Sequence, residues 1–424
     1  MEVLAELESR GLVYQATDLD GLREHLREPR RVYCGFDPTA PSLTLGNLAP
    51  LLILAHFQRR GHTPVVVLGG ATGLIGDPSG KSAERQLLDS GTVAANLAGQ
   101  RRVFEAVLDC RPESPNAVVF LDNSEWLSSL SFLGALRDIE KHFSVNEMIR
   151  RDSVRDRLTR EQGISYTEFS YALLQAWDFH HLAEARGVTV QVGGSDQWGN
   201  IVSGVDLARR LQSRSVYGLT CPLVTKADGG KFGKSEAGAV WLTADRTSPF
   251  ALYQFFVNTT DAEAGRYLRL FTFLPLEDAS QLEREHQADP GRRGAQRALA
   301  REVTALVHGP AAAREAEEAA DRLFAGDIAV LPVSVLLEAL RGVPTTTHSL
   351  TELRDGPRPL ADVLVTTGVC TSKREARELL AAGAVSLNGV ALRTEDTFTA
   401  ASLLEGRLAA FRRGKKNWYL GIWE

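Results

Sequence analysis

Cysteine is scarce in these 424 residues, and the four present, Cys34, Cys110, Cys221 and Cys370, show no C-x-x-C spacing. That excludes the usual zinc and disulfide frameworks and suits a reducing compartment. Long apolar runs are missing too. Val65 to Leu68 and Leu51 to Ala55 fall far short of the roughly 20 residues that span a bilayer, so no membrane association is expected. The start M-E-V-L-A-E-L-E-S-R has no basic n-region ahead of an apolar h-region, which leaves the cytoplasm as the expected compartment. Neither sign of charge dominates: a net −5 does not by itself indicate nucleic acid, so local charge must be read instead. Repeats and low-complexity tracts are lacking.

What is there begins with strands. At this length two or three domains are expected. Four apolar, β-branched runs, Arg31 to Gly35, Val65 to Leu68, Ala117 to Leu121 and Val188 to Val192, each end in glycine or a polar residue and lead into helical pattern. Strands alternating with helices read as a parallel sheet covered on both faces, here a Rossmann-like doubly wound α/β fold, and Leu219 to Val224 is expected to join it. In G-N-L-A-P-L-L-I-L-A-H-F, Leu48, Leu51, Leu52 and Ala55 form a helix face, with Pro50 tolerated in the first turn.

After Val240 the pattern turns helical, with Ser248-Pro249 as a helix start. A polar stretch from Pro344 then reads as a linker to a small α+β unit. In that unit Ser372 and Glu375 form a capping box, Gly383 ends the helix and Asn388-Gly389 makes a hairpin turn. The expected boundaries are 1–225 for the sheet domain, 226–246 for a glycine-lysine loop and connector, 247–343 for a helical domain, 344–357 for a linker and 358–424 for the tail.

The unusual residues fall at the carboxyl ends of the strands. Asp37 and Thr39 follow the first, G-G-A-T-G-L-I-G-D-P-S-G-K-S the second, Asn123 the third and G-G-S-D-Q-W-G-N the fourth. Open parallel sheets bind ligands outside those ends, so one cleft can collect all four groups; taken singly, each loop reads equally well as a turn. The second loop is not a Walker A motif, because Ile75 stands where the first glycine belongs. It still offers Asp77 to a cation, and Lys81 with Arg85, one helical turn apart, to phosphate. A second lysine pair, Lys231 and Lys234 in A-D-G-G-K-F-G-K-S, sits among glycines, taken alone an exposed hairpin tip and, together with the first pair, a loop expected to move and close over the negative charge of a polyphosphate. Tyr171, Gln175 and Asp178 share one helical stripe, either a wet face or a pocket wall offering hydroxyl, amide and carboxylate. His180 and His181 lack metal-ligand spacing.

Together Y-C-G-F-D-P-T-A, G-G-A-T-G-L-I-G-D-P-S-G-K, K-H-F-S-V-N, T-E-F-S-Y, V-G-G-S-D-Q-W-G-N and K-F-G-K-S, in this order, resemble bacterial tyrosyl-tRNA synthetases, class I aminoacyl-tRNA synthetases. The likeness runs from the first helix to the last strand. It implies L-tyrosine, ATP with Mg2+ as co-substrate, and tRNA-Tyr as substrates, no tightly bound metal, and a homodimer. It implies that Tyr33 and Asp178 grip the tyrosine hydroxyl, that Asp77, Tyr171 and Gln175 hold its ammonium group, and that Asn123 and Gln197 complete the pocket. Gly35, Asp37, Thr39, Gly46, Gly194 and Asp196 would line the adenylate, with Cys34 and Asp196 near the ribose. Lys81, Arg85, Lys231, Lys234 and Ser235 would stabilise the transferring phosphates.

In that family the first turn carries H-x-G-H, whose imidazoles donate to ATP, and here T-L-G-N replaces both. Thr44 and Asn47 also donate and are expected to take over. Residues 358–424 carry ten Lys or Arg against seven Asp or Glu. Lys373, Arg374, Arg377, Arg412, Arg413, Lys415 and Lys416 dominate that excess and would meet the RNA backbone, as in the ribosomal-protein-like module the tail resembles. The lost histidines leave a catalytically silent RNA- or metabolite-binding paralogue as the alternative, ahead of a P-loop hydrolase.

Overall fold

The computed structural model describes residues 2–79, 87–159, 163–227, 229–235, 238–354, 356–414 and 417–424, with Asp152, Ser153, Asp156 and Ser235 by their backbone alone. The chain packs as two compact units: residues 1–248 with 255–310, and residues 249–254 with 311–424. The helical stretch expected over 247–343 is thus divided between them.

The larger unit is built on six strands: β1 (Gln15–Ala16), β2 (Arg31–Phe36), β3 (Thr63–Leu68), β4 (Val119–Asp122), β5 (Val188–Gly194) and β6 (Tyr217–Cys221). They lie in the order β1-β6-β5-β2-β3-β4, parallel except for the short antiparallel edge strand β1. Buried Val32, Val66, Val190 and Val192 explain the apolar runs, since a parallel sheet covered on both faces has no wet side. The last strand stops at Cys221 rather than Val224, because Pro222 has no N–H to donate to a ladder.

The helix Leu48–Arg59 crosses β2, β3 and β5 and is covered from outside by the helices Val3–Arg10, Ser90–Val107 and Asp261–Phe271. It therefore buries Ile53, Leu54 and Phe57 as well as the expected stripe. After β6 a small ribbon forms from β7 (Lys234–Ser235) and β8 (Gly238–Ala239). The helix expected at Ser248-Pro249 runs over Pro249–Val257.

The smaller unit contains a five-stranded sheet assembled from β9 (Thr345–His348), β11 (Val385–Leu387), β12 (Val390–Ala391), β14 (Leu408–Arg413) and β15 (Asn417–Trp423), in the order β12-β11-β14-β15-β9. A two-stranded ribbon, β10 (Arg358–Pro359) with β13 (Thr397–Phe398), flanks it. Helices Leu360–Thr366 and Lys373–Ala381 close a core around Leu364, Ala376, Phe398, Phe411 and Trp423. The stretch 344–357, expected as a linker, instead supplies β9, parallel to β15.

The hairpin turn has Asn388 at φ 50° and Gly389 at φ 88°, the left-handed pair that a two-residue turn requires. At the expected capping box, the Ser372 hydroxyl accepts from the Glu375 amide at 3.2 Å. The Glu375 carboxylate reaches one residue further, to the Thr371 amide at 2.8 Å.

Candidate active site

The carboxyl ends of β2 to β6 open into a cavity of about 590 Å3. Tyr33, Asp77, Asn123, Tyr171, Gln175, Asp178 and Gln197 all line it, and so do Cys34, Gly35, Asp37, Thr39, Thr44, Gly46, Asn47, Gly194 and Asp196. Of the remaining candidates, Lys231 and Lys234 are exposed and do not line it. Lys81 and Arg85 lie outside the described residues, as does the Ser235 side chain.

At the deep end Asp178 is buried on the long helix Tyr166–Arg186, which Ser165 caps by accepting from the Glu168 amide. Both Asp178 oxygens accept hydrogen bonds, Oδ1 from Trp126 Nε1 at 2.7 Å and Oδ2 from Asn123 Nδ2 at 3.0 Å. Burial pushes this carboxyl up to about 7, helped by the charge of Asp37 and opposed by the two donors. The Tyr33 ring packs on Phe179 at 5.2 Å. Its hydroxyl is buried without a hydrogen-bond partner, and burial, then Asp178, drives its pKa well above the usual phenol value. A neutral hydroxyl left buried and unpaired costs about 1–3 kcal/mol, which a polar ligand group would recover.

Two chains of hydrogen bonds run outward from there. Asn123 Nδ2 also donates to Thr72 Oγ1 at 2.9 Å, Thr72 donates to Asp37 Oδ1 at 2.8 Å, and the Tyr171 hydroxyl donates to Asp37 Oδ2 at 2.9 Å. Separately, Gln197 Nε2 donates to Asp77 Oδ2 at 2.7 Å, and Asn200 Nδ2 donates to Gln175 Oε1 at 3.0 Å. Burial, then Asp37 and Asp77, raise the Tyr171 hydroxyl well above its ordinary value; the same negative field favours a cation between these carboxylates. Gly69 is required beside them, because an added Cβ would stand 2.2 Å from Asp37 Oδ1.

Trp126, Thr72 and Asn200 are contacts that sequence reasoning missed. Trp126 and Asn200 each sit three residues beyond a candidate, at Asn123 and Gln197, the spacing that places side chains on one helical face.

At the mouth, residues 45–47 form a single 3-10 turn that runs directly into the helix Leu48–Arg59. Asn47 Oδ1 accepts from both the Thr44 amide (3.0 Å) and the Thr44 hydroxyl (2.9 Å). This consumes the Thr44 donor and orients the Asn47 amide, since only its oxygen can face two donors; its NH2 is left to donate elsewhere. The lysine loop is stitched to this turn. Leu45 N donates to Val240 O, Thr44 bridges Trp241, and Val240 N donates to Gly233 O. Gly233, at φ 78°, comes so close to Leu45 that a Cβ would sit 3.1 Å from the leucine Cβ.

In the smaller unit Lys373, Arg374 and Arg377 are exposed on one helix, Lys373 beside Asp362 and Arg374 beside Glu378. Arg413 is half-buried, paired with Glu375 at 2.9 Å and donating to Val369 O. Arg412 lies over the Trp418 ring at 5.3 Å. Lys415 and Lys416 lie outside the described residues. Among the described residues no group of three His, Cys, Asp or Glu could hold a metal ion, and no helix is long and apolar enough to cross a membrane.

Comparison with known proteins places this arrangement. The family model for class I tRNA synthetases (W and Y) matches residues 25–325, and that for the C-terminal domain of tyrosine–tRNA ligases matches residues 336–421. The chain is 50% identical to the tyrosine–tRNA ligase of Aeromonas hydrophila over 100% of this chain and 99% of that protein. It is 48% identical to that of Geobacillus kaustophilus over 99% of each. Among solved structures, a C-terminally truncated mitochondrial tyrosyl-tRNA synthetase of Aspergillus nidulans matches with a TM-score of 0.68 at 34% identity, covering 76% of this chain and 94% of that one. The chain belongs to the tyrosine–tRNA ligase family of class I tRNA synthetases.

Proposed function

We propose that this chain activates L-tyrosine with ATP, carried with Mg2+, to tyrosyl-adenylate and pyrophosphate, and then transfers the tyrosyl group to the 3′-terminal adenosine of tRNA-Tyr. The observation that carries the reading is the unpaired Tyr33 hydroxyl buried next to Asp178 at the closed end of the cavity. A substrate phenol can donate to Asp178 and accept from Tyr33. The ring of phenylalanine would leave both unsatisfied. The carboxylates Asp37 and Asp77, with Tyr171 and Gln175, offer the ammonium group its partners.

In the first step the tyrosine carboxylate attacks the α-phosphorus and pyrophosphate leaves. In the second, the adenosine hydroxyl displaces AMP. Neither step calls for a protein nucleophile, so the chain's part is to position reactants and stabilise charge. The Asn47 amide serves the phosphates at the mouth, with Lys81, Arg85, Lys231 and Lys234 supplying positive charge, while Gly35, Thr39, Gly194 and Asp196 line the nucleoside. In the tail Lys373, Arg374 and Arg377 meet the RNA backbone; Arg412 and Arg413, drawn into internal contacts, contribute less.

The working form is a homodimer, and the exposed Phe132, Leu133, Leu136, Val145 and Ile149, close in sequence, make the face a second copy covers. The compartment is the cytoplasm, consistent with four unpaired cysteines.

The test is tyrosine-dependent exchange of labelled pyrophosphate into ATP, with phenylalanine and tryptophan as controls. Exchange with tyrosine alone supports the reading. A folded chain without exchange would favour the silent paralogue. Ending the chain at Val343 should abolish charging of tRNA yet leave exchange intact.

A further inference from the structure

The lysine loop is tied down by a helix that contributes nothing to the cavity lining. At the loop's entry Thr225 and Lys231 bridge, and Lys226 N donates to Gly230 O, closing a small hairpin. Two side chains of the helix Asp261–Phe271 hold its base: the Tyr267 hydroxyl donates to Thr225 O at 3.0 Å, and the Ala227 amide donates to Glu263 Oε1 at 2.6 Å. The other Glu263 oxygen accepts from the Thr260 amide at 3.1 Å and the Thr260 hydroxyl at 2.6 Å, the reciprocal cap of the same helix.

Between the two lysines Phe232 is buried, stacked on Phe271 at 4.9 Å and tilted against Tyr267 at 4.9 Å. Its neighbour Gly233 then lies against Leu45 and Gly46 of the mouth turn. One carboxylate thus fixes both the start of a helix and the start of the loop that carries Lys231 and Lys234.

We propose that Glu263 is a positioning residue for tyrosine activation, its carboxylate setting the place of Lys231 and Lys234 beside the Thr44–Asn47 turn. The inference rests on the proposed function, in which those lysines serve the phosphates. Glu263 touches no substrate. Its two oxygens do separate things, so the cap and the anchor can be separated by mutation. Thr260→Ala weakens the cap and leaves the Ala227 contact; Glu263→Ala removes both; Glu263→Gln retains one oxygen for Ala227.

Three readouts on the full chain decide it: pyrophosphate-exchange kinetics, tyrosine binding without ATP, and deuterium uptake of the segment 225–235. For Glu263→Ala, kcat should fall about ten- to a hundredfold, the cost expected of a small misplacement of reacting groups, with tyrosine affinity unchanged and uptake faster. Thr260→Ala should lose thermal stability while keeping kcat and uptake near the original. Glu263→Gln should recover part of the rate. Wild-type kcat in Glu263→Ala, or parallel losses of kcat, tyrosine affinity and stability in both alanine variants, would overturn the proposal. An unmodified chain with no exchange would instead overturn the functional reading, and the uptake contrast would still decide whether Glu263 anchors the loop.

Discussion

The two ends of the cavity are built on opposite plans. At the deep end Asp178, Asn123, Trp126 and Thr72 bind one another, and the Tyr33 hydroxyl is left buried without a partner. At the mouth Thr39 and Gly46 are exposed, Thr44 and Asn47 are half-buried, and the two described lysines stand in solvent. Buried groups with fixed partners punish a wrong ligand, because a polar atom left unpaired there has no water to turn to. Exposed donors discriminate poorly but can follow charge that changes during a reaction.

The contrast can be broken at the deep end first. Asp178→Ala strands the Asn123 amide and the Trp126 N–H, so kcat/KM for tyrosine should fall by at least about 10³-fold. Preference over phenylalanine, of order 10⁴–10⁵ in measurements already made on this enzyme family, should collapse. Exchange assays with both amino acids check it. Asn47→Ala comes next, an expected loss of about 10²–10³ in kcat for exchange with tyrosine affinity unchanged, the usual cost of one charge-stabilising donor.

Third is pH. A tyrosine phenol donating to Asp178 favours the ionised carboxyl, which in the empty pocket protonates at about 7. Tyrosine affinity should therefore weaken below pH 7, by up to about tenfold per unit, while phenylalanine binding stays flat; calorimetric titration from pH 5.5 to 8 decides it. For stability the sign is opposite to that of a salt-bridged carboxylate. The folded pKa is raised, so the folded state holds the proton longer, and this group's contribution falls as pH rises from about 4 to 7 and is constant above. Asp178→Asn should remove that slope.

Smallest is Thr44→Val. Its hydroxyl is spent on orienting Asn47, so the cost should be that of a lost cap, about 1 kcal/mol and severalfold in kcat. A loss as large as that of Asn47→Ala would mean that Thr44 itself meets the substrate.

The sheet was legible because its strands are apolar throughout and its loops are not, and the same contrast picked out the residues that line the cavity. What stayed hidden depended on partners far away in sequence. Thr345–His348 carries no apolar alternation and becomes a strand only because β15 accepts it. Counting charges in the tail could not reveal that Glu375 and Trp418 engage Arg413 and Arg412. Trp126 reads as an ordinary core aromatic until its N–H is seen to meet Asp178. The expected mobility of the lysine loop took account of its glycines and not of Phe232, whose ring is surrounded by Phe255, Phe256, Tyr267 and Phe271.

The pairing of β9 with β15 bears on how the chain is made. Thr345 is aligned with Leu420, so the edge strand leaves the ribosome long before the residues that bind it, and β15, which lies between β9 and β14, is the last of the five strands to be made. The tail sheet cannot close until β15 has been made. Loss of β15 would unzip both β9 and β14 at once, leaving two open strand edges, a species more prone to aggregate than to fail outright.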